Sequence, residues 1–170
     1  MYRTISTELW TDPQVDALDR DGKLLFVYSI TNPHTHLSGL YYLPKPTITL
    51  ETKIPDRVLD TLFDTLSRLE KLFYDPLTRT IFVTRMFSYQ GQGEKNERAA
   101  ANHLKTLHKT ALIKRFFAEY PSVLTYWTGY PIDTLSDTPS ESGKRCPSVP
   151  DPSFLTSSPN LQSSSPTKKQ

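Results

Sequence analysis

Asp56–Thr84 reads DRVLDTLFDTLSRLEKLFYDPLTRTIFVT, and this stretch decides the fold. Its first half puts Val58, Leu62, Leu66 and Leu69 at helical spacing, with Leu59 and Phe63 widening the stripe. That predicts a helix from Asp56 to about Lys71. The period then changes. Leu72-Phe73-Tyr74 and Thr80-Ile81-Phe82-Val83-Thr84 are strand-like, and Asp75-Pro76-Leu77-Thr78-Arg79 joins them as a hairpin loop.

Upstream, Thr52-Lys53-Ile54-Pro55 is a turn, and a helix starting near Pro46 precedes it, with Ile48 and Leu50 as its apolar contacts. Gly39-Leu40-Tyr41-Tyr42-Leu43 reads as a short strand before Pro44. Thr11-Asp12-Pro13 starts a short helix that runs to about Leu18, because Pro at the first helical position loses no needed N–H. Asp19 or Asp21 opens a second helix. Leu24, Leu25, Phe26, Val27, Tyr28 and Ile30 make it apolar on most sides, as a central core helix is, and Asn32-Pro33 stops it. Downstream of the hairpin, Tyr89 to Asn96 is a flexible connection containing Gly91 and Gly93. Two helices follow, about Glu97–His108 and Thr110–Glu119, and Pro121 ends the second.

The order is helix, helix, strand, helix, turn, helix, hairpin. One short helix pair cannot bury its apolar faces, so the first helices and the hairpin must close the core beneath it. The expected class is α+β, mostly α: a winged helix-turn-helix over residues 1–90 with a small three-stranded sheet, then a basic helical extension over 91–130. Phe26, Tyr28, Leu62, Leu66 and Phe82 are expected to be buried together. Trp10 and Trp127 read as packing residues.

Apolar residues make up 36% of the 170, a low share for a fully folded chain, and the deficit has a location. From Asp133 to Gln170 the chain holds 10 Ser, 6 Pro and 4 Thr, too little apolar surface to offset chain entropy. Residues 131–170 are expected to be a disordered tail. Cys146, the only cysteine, lies there, so no disulfide framework or Cys-based zinc site follows. The N-terminus has no apolar signal core and no run approaches a membrane span. The expectation is a protein of the cytoplasm without a membrane partner.

Several chemistries find no support in the residues. His34 and His36 sit beside Pro33 without a carboxylate at ligand spacing, and His103 and His108 are five apart, off a shared helical face. Gly91-Gln92-Gly93-Glu94-Lys95-Asn96 lacks the spacing and the Ser/Thr of a phosphate-binding loop. No nucleophile, base and orienting group can be assembled. The expectation is a non-enzyme without cofactor or metal.

Charge separates the halves. Residues 1–75 hold 8 Lys/Arg against 11 Asp/Glu, a balance of −3, while residues 85–119 hold 7 against 3, a balance of +4. On the expected reader helix, Arg57, Thr61, Arg68 and Lys71 are placed to reach phosphates or base edges. Asp56, Asp60 and Asp64 form an acidic stripe on the same polar half. Lys45, Thr47 and Lys53 flank the preceding helix as phosphate contacts. Arg79 at the hairpin tip and Arg85 at its end are where a wing would touch DNA. Lys95, Arg98, Lys105, Lys109, Lys114 and Arg115 supply sequence-independent affinity. Against them stands a stripe of Leu104, Leu107, Ala111, Leu112, Phe116 and Phe117, which can pack on the winged domain or pair two chains as a homodimer.

Arg3-Thr4-Ile5-Ser6-Thr7-Glu8-Leu9-Trp10-Thr11-Asp12 resembles the opening of phage replication initiators, also called replisome organizers. So does the run Lys23-Leu24-Leu25-Phe26-Val27-Tyr28, Thr31-Asn32-Pro33-His34-Thr35, Leu37-Ser38-Gly39-Leu40-Tyr41. Leu107–Phe116 and Tyr120-Pro121 look like a segment that often follows the wing in that family. The resemblance spans roughly residues 3–121. It implies a phage or prophage protein that binds double-stranded DNA at an origin region and helps recruit a replicative helicase or its loader. Longer members carry a C-terminal DnaD-like domain, and this chain has a Ser/Pro-rich segment in that place. Two other readings are a winged-helix transcriptional regulator and a protein-interaction module that contacts replication or host factors through the acidic helix.

Overall fold

Thr80–Val83 is buried at every position, and two hydrophobic cores lie on its two sides. The computed structural model describes residues 5–90 and 93–134. The segment from 135 on, with most of the expected tail and Cys146, lies outside the described residues.

A 3₁₀ turn at Thr7–Trp10 leads into α1 (Pro13–Asp16) and α2 (Arg20–Thr31). Asp12 caps α1 by accepting the Gln14 N–H, and Asp19 caps α2 by accepting the Gly22 N–H. Then come β1 (Leu40–Tyr42), α3 (Lys45–Thr52), α4 (Asp56–Arg68), β2 (Leu72–Asp75) and β3 (Thr80–Val83). A short α5 (Met86–Tyr89) precedes α6 (Glu94–Leu104) and α7 (Ala111–Glu119). A 3₁₀ helix at Pro121–Tyr126 and a 3₁₀ turn at Ile132–Thr134 complete the described chain.

The sheet is antiparallel in the order β1-β3-β2, with Leu40 opposite Phe82 and Phe82 opposite Phe73. With the helices in this order, that is the winged-helix topology within an α+β, mostly helical fold. Successive strand residues point to opposite faces, and both faces are covered. Tyr41, Leu72, Ile81 and Val83 pack on one side against Leu25, Phe26, Ile48, Leu59, Leu62, Phe63 and Leu66 of α2, α3 and α4. Leu40 and Phe82 pack on the other against Ala100, Leu104, Ile113, Phe116 and Phe117 of α6 and α7. The apolar stripe of the helical extension thus packs on the sheet of the winged helix, one of the two roles expected of it, and Ile132 packs on this second core.

This layering corrects the expected core. Phe82 does not join Leu62 and Leu66; its register puts it on the opposite face, edge-to-face with Phe116 at 6.0 Å. Tyr28 is only half-buried and donates its hydroxyl to Glu51 Oε2 at 2.7 Å. Leu50 is 68% exposed and Trp10 62% exposed, so neither packs as expected. Trp127 does pack, edge-to-face on Phe117, with its indole N–H on the Tyr130 carbonyl.

The loop before β1 needs its glycine. Gly39 has φ +73°, and a Cβ there would lie 2.7 Å from the Val83 carbonyl oxygen. The close approach lets the Gly39 carbonyl accept the Val83 N–H at 2.8 Å.

Candidate nucleic-acid interface

The turn between α3 and α4 is short because Lys53 takes a left-handed conformation, φ 63°. Its N–H bonds the Thr49 carbonyl, while Thr52 Oγ1 donates to the Ile48 carbonyl and accepts the Ile54 N–H. Ile54 is buried, which anchors the turn and leaves Lys53 exposed. Pro55 stands at the N-cap of α4, and no side chain caps that end. The first-turn amides of α4 are therefore not bonded by a cap, as the positive end of a helix is when it meets an anion.

On α4, Leu59, Leu62, Phe63 and Leu66 are buried, and Asp56, Arg57, Asp60, Thr61, Asp64 and Arg68 are exposed or partly so. At about 100° per residue, Arg57, Thr61, Asp64 and Arg68 fall in one narrow arc, with Asp60 and then Asp56 to one side. Among the described residues, neither Lys53 nor Arg57 has a side-chain hydrogen bond or ion pair. Arg68 turns its Nε to the Asp64 carbonyl at 3.3 Å. Lys71 ion-pairs with Asp12, and this contact holds the Asp12 carboxyl below its ordinary value.

Lys45 is engaged differently from expectation. Its ammonium ion-pairs with Asp60 and lies 6.0 Å from the Tyr74 ring, so it neutralises part of the acidic stripe. Thr47 is half-buried on α3. Tyr74 in turn stacks on Phe63 at 4.3 Å, which lays β2 back along α4 and brings the hairpin loop to the Lys45–Asp60 end. Burial pushes the Tyr74 hydroxyl up to about 12.

Arg79 stands at that loop, exposed, with φ 54°. The loop is fixed by Asp75, which accepts the Leu77 N–H at 3.0 Å and the Thr78 hydroxyl at 2.8 Å. Arg85 lies at the other end of β3. It is also left-handed, φ 58°, and its N–H donates to Glu119 Oε1 at 2.7 Å. The structure thus brings Lys53, Arg57 and Thr61 together on the turn and first half of α4, with Arg79 on the hairpin. Arg85 is parted from them by the length of β3.

The basic residues of α6 and α7 belong to the layer on the other face of the sheet, and several hold partners. Arg98 pairs with Glu94 at 2.7 Å, Arg115 stacks on Phe73 at 3.5 Å, Lys109 lies 4.8 Å from the Tyr130 ring, and Lys105 bonds Asn102 at 3.0 Å. Lys114 is half-buried and Lys95 exposed. Tyr42 stands exposed at the edge of this layer, although strand alternation puts it on the same face as the buried Leu40.

Among the described residues no group of three or more His, Cys, Asp or Glu is arranged to hold a metal, and no helix is long and apolar enough to cross a membrane. No family model, curated protein or solved structure matches the chain.

Proposed function

We propose that the chain is a winged-helix module that binds double-stranded DNA, acting as a phage- or prophage-type replication initiator at an origin region. The observation that carries the reading is the exposed N-terminal turn of α4, where Arg57 and Lys53 have no protein partner among the described residues. Two features support it: the winged-helix order of elements, and Arg79 on the hairpin at the same end of α4. The role at an origin, with a helicase or its loader as partner, rests on the resemblance to replication initiators.

The acidic stripe limits the docking. Asp64 lies between Arg57 and Arg68, where a phosphate would be repelled, so the contact is made by the first turns of α4 and the wing. The same exposed Asp56, Asp60 and Asp64 favour a second reading, a protein-binding face for a basic partner. Fluorescence anisotropy with random and selected duplexes across a salt series separates the two. For a DNA reader, Arg57→Ala lowers affinity for the selected duplex by about 1–3 kcal/mol and relaxes its preference. A wild-type chain that binds no duplex at low salt would remove the DNA reading. Sequencing the selected pool distinguishes an origin repeat from a promoter operator.

A further inference from the structure

We propose that the tip of the β2–β3 hairpin is a wedge: Leu77, with Pro76 beside it, enters the minor groove of the bound duplex, unstacks one base step and bends the DNA. The inference rests on the duplex reading of α4 and adds to it a deformation that the α4 contacts do not require. Leu77 is 68% exposed and joins neither core, and Pro76 is exposed next to it. A tight turn favours Gly, Asn, Asp or Ser at its tip, so the fold itself does not call for a leucine there.

The tip is also braced. Asp75 accepts the Leu77 N–H at 3.0 Å, the Thr78 hydroxyl at 2.8 Å and the Thr110 hydroxyl at 2.6 Å. The first two bonds fix the turn, and the third ties it to the start of α7 and holds the Asp75 charge there. A loop fixed in this way has little freedom left to lose on insertion. Arg79 gives the tip its direction. Burial raises the Tyr74 hydroxyl, while the Lys45 N–H and the Arg79 charge oppose the rise. Arg79 therefore lies near Tyr74, which stacks on Phe63 of α4, and its cation stands on the α4 side of the hairpin. An apolar tip with a cation beside it suits a groove that has stacked bases for its floor and phosphates for its walls. Apolar wedges, Leu and Pro among them, insert between base steps from the minor groove and kink the duplex toward the major groove.

The test uses the full chain and the selected duplex with a donor dye at one end and an acceptor at the other. Binding of the wild-type chain is expected to raise energy transfer, through a bend of about 20–90°. Leu77→Ala should bind and lose that rise, and Leu77→Met should keep it. Leu77 is exposed, so both variants are expected to unfold at the wild-type temperature. Arg57→Ala lowers affinity and keeps the bend in the complex that still forms. A single mismatch walked along the duplex supplies a second readout, because a mismatched base is already cheap to unstack. At one step it should tighten binding of the wild-type chain and leave Leu77→Ala unchanged. A duplex that is bound and stays straight, or a bend undiminished in Leu77→Ala, overturns the wedge and leaves the α4 reading standing. A wild-type chain that binds no duplex overturns both.

Discussion

Thr110 Oγ1 donates a 2.6 Å hydrogen bond to Asp75 Oδ2, tying the tip of the hairpin to the start of α7. The same hydroxyl accepts the Leu112 N–H as the N-cap of α7. One oxygen therefore caps a helix and holds the loop that Asp75 has already shaped. The wing is fixed from behind by a helix on the far layer, and Arg79 is held in place with it.

This bond gives a pH dependence with a definite sign. Burial alone would raise the Asp75 carboxyl, but the bonds from Thr110, Thr78 and the Leu77 N–H outweigh it and hold it below its ordinary value. The folded state thus favours the ionised form. Its contribution is fully present above the ordinary Asp range, about 3.9, and is lost as pH falls through the folded value. Asp75→Asn is expected to cost about 1–2 kcal/mol at neutral pH, the low side for a charged acceptor because the group is partly solvated. It should also flatten the acid limb of denaturant-derived stability against pH. An acid limb identical to wild-type would show that the bond does not form in solution.

Gly39 offers a backbone test. Alanine there meets the Val83 carbonyl at 2.7 Å and Met86 Cβ at 2.9 Å, and must also hold φ +73°. The left-handed conformation alone costs about 1–2 kcal/mol. Gly39→Ala should lower stability by about 2 kcal/mol or more and loosen the β1–β3 pairing, read as faster amide exchange at Val83. A neutral effect would mean that the loop before β1 is differently placed.

The two cores can be told apart by two truncations. Leu62→Ala removes packing beneath α4 and should cost about 2–5 kcal/mol; Phe82→Ala removes the ring under Phe116 and should cost about 3–5 kcal/mol. Hydrogen exchange is the sharper readout. Phe82→Ala should raise exchange first in α6 and α7, Leu62→Ala first in α2 and α4. Identical exchange patterns from the two would contradict a core divided by the sheet.

What the sequence made legible follows from how local each signal is. The α4 stripe and the hairpin could be read because Leu59, Leu62, Phe63 and Leu66 repeat at helical spacing, and Asp75-Pro76 is strong turn chemistry. Phe82 could not be placed, because a strand buried on both faces shows no alternation: Thr80, Ile81, Phe82 and Val83 are all apolar enough to face either side. Leu50 was assigned to the core from its type, although the α3 face that packs carries Ile48. The start of α6 at Glu94 was missed because Gly93 with φ +140° begins it without a side-chain cap. Among the proposed DNA-contacting residues, Arg57 and Arg79 could be placed on α4 and on the hairpin from their elements, and both are exposed. The pairing of Lys45 with Asp60, fifteen residues apart, is a tertiary fact with no local signature.

A second long-range contact supplies another pH dependence. The His36 and His103 rings stack at 3.7 Å and 17°, and His103 Nε2 lies 3.1 Å from the Leu40 carbonyl. A carbonyl requires Nε2 to carry the proton. Burial lowers the His103 pKa, only partly opposed by the Leu40 carbonyl. The unfolded chain therefore binds this proton more readily. Stability from this group is fully present above about 6.5 and is lost as pH falls through the folded value. His103→Gln should flatten the stability profile below that pH, and the His103 ring in wild-type should titrate by NMR with a midpoint below the ordinary histidine value. A midpoint above the ordinary value would reverse the sign.

Asp64 decides which partner α4 faces. It is exposed in the same arc as Arg57, Thr61 and Arg68, and no basic side chain pairs with it among the described residues. If the first turns of α4 approach a duplex, this carboxylate lies close enough to repel the phosphate backbone without touching it. Asp64→Asn keeps size and helix position and removes only the charge. It should strengthen binding to every duplex alike, by about 0.5–1 kcal/mol at low salt, and the gain should shrink as salt screens it. Arg57→Ala in the same background should still lose sequence preference, because base contact and backbone repulsion are separate effects. If α4 instead faces a basic protein partner, Asp64→Asn leaves duplex affinity unchanged at every salt concentration. A salt-independent gain would fit neither account and would point to a change in the helix itself, visible as a shift in its thermal unfolding.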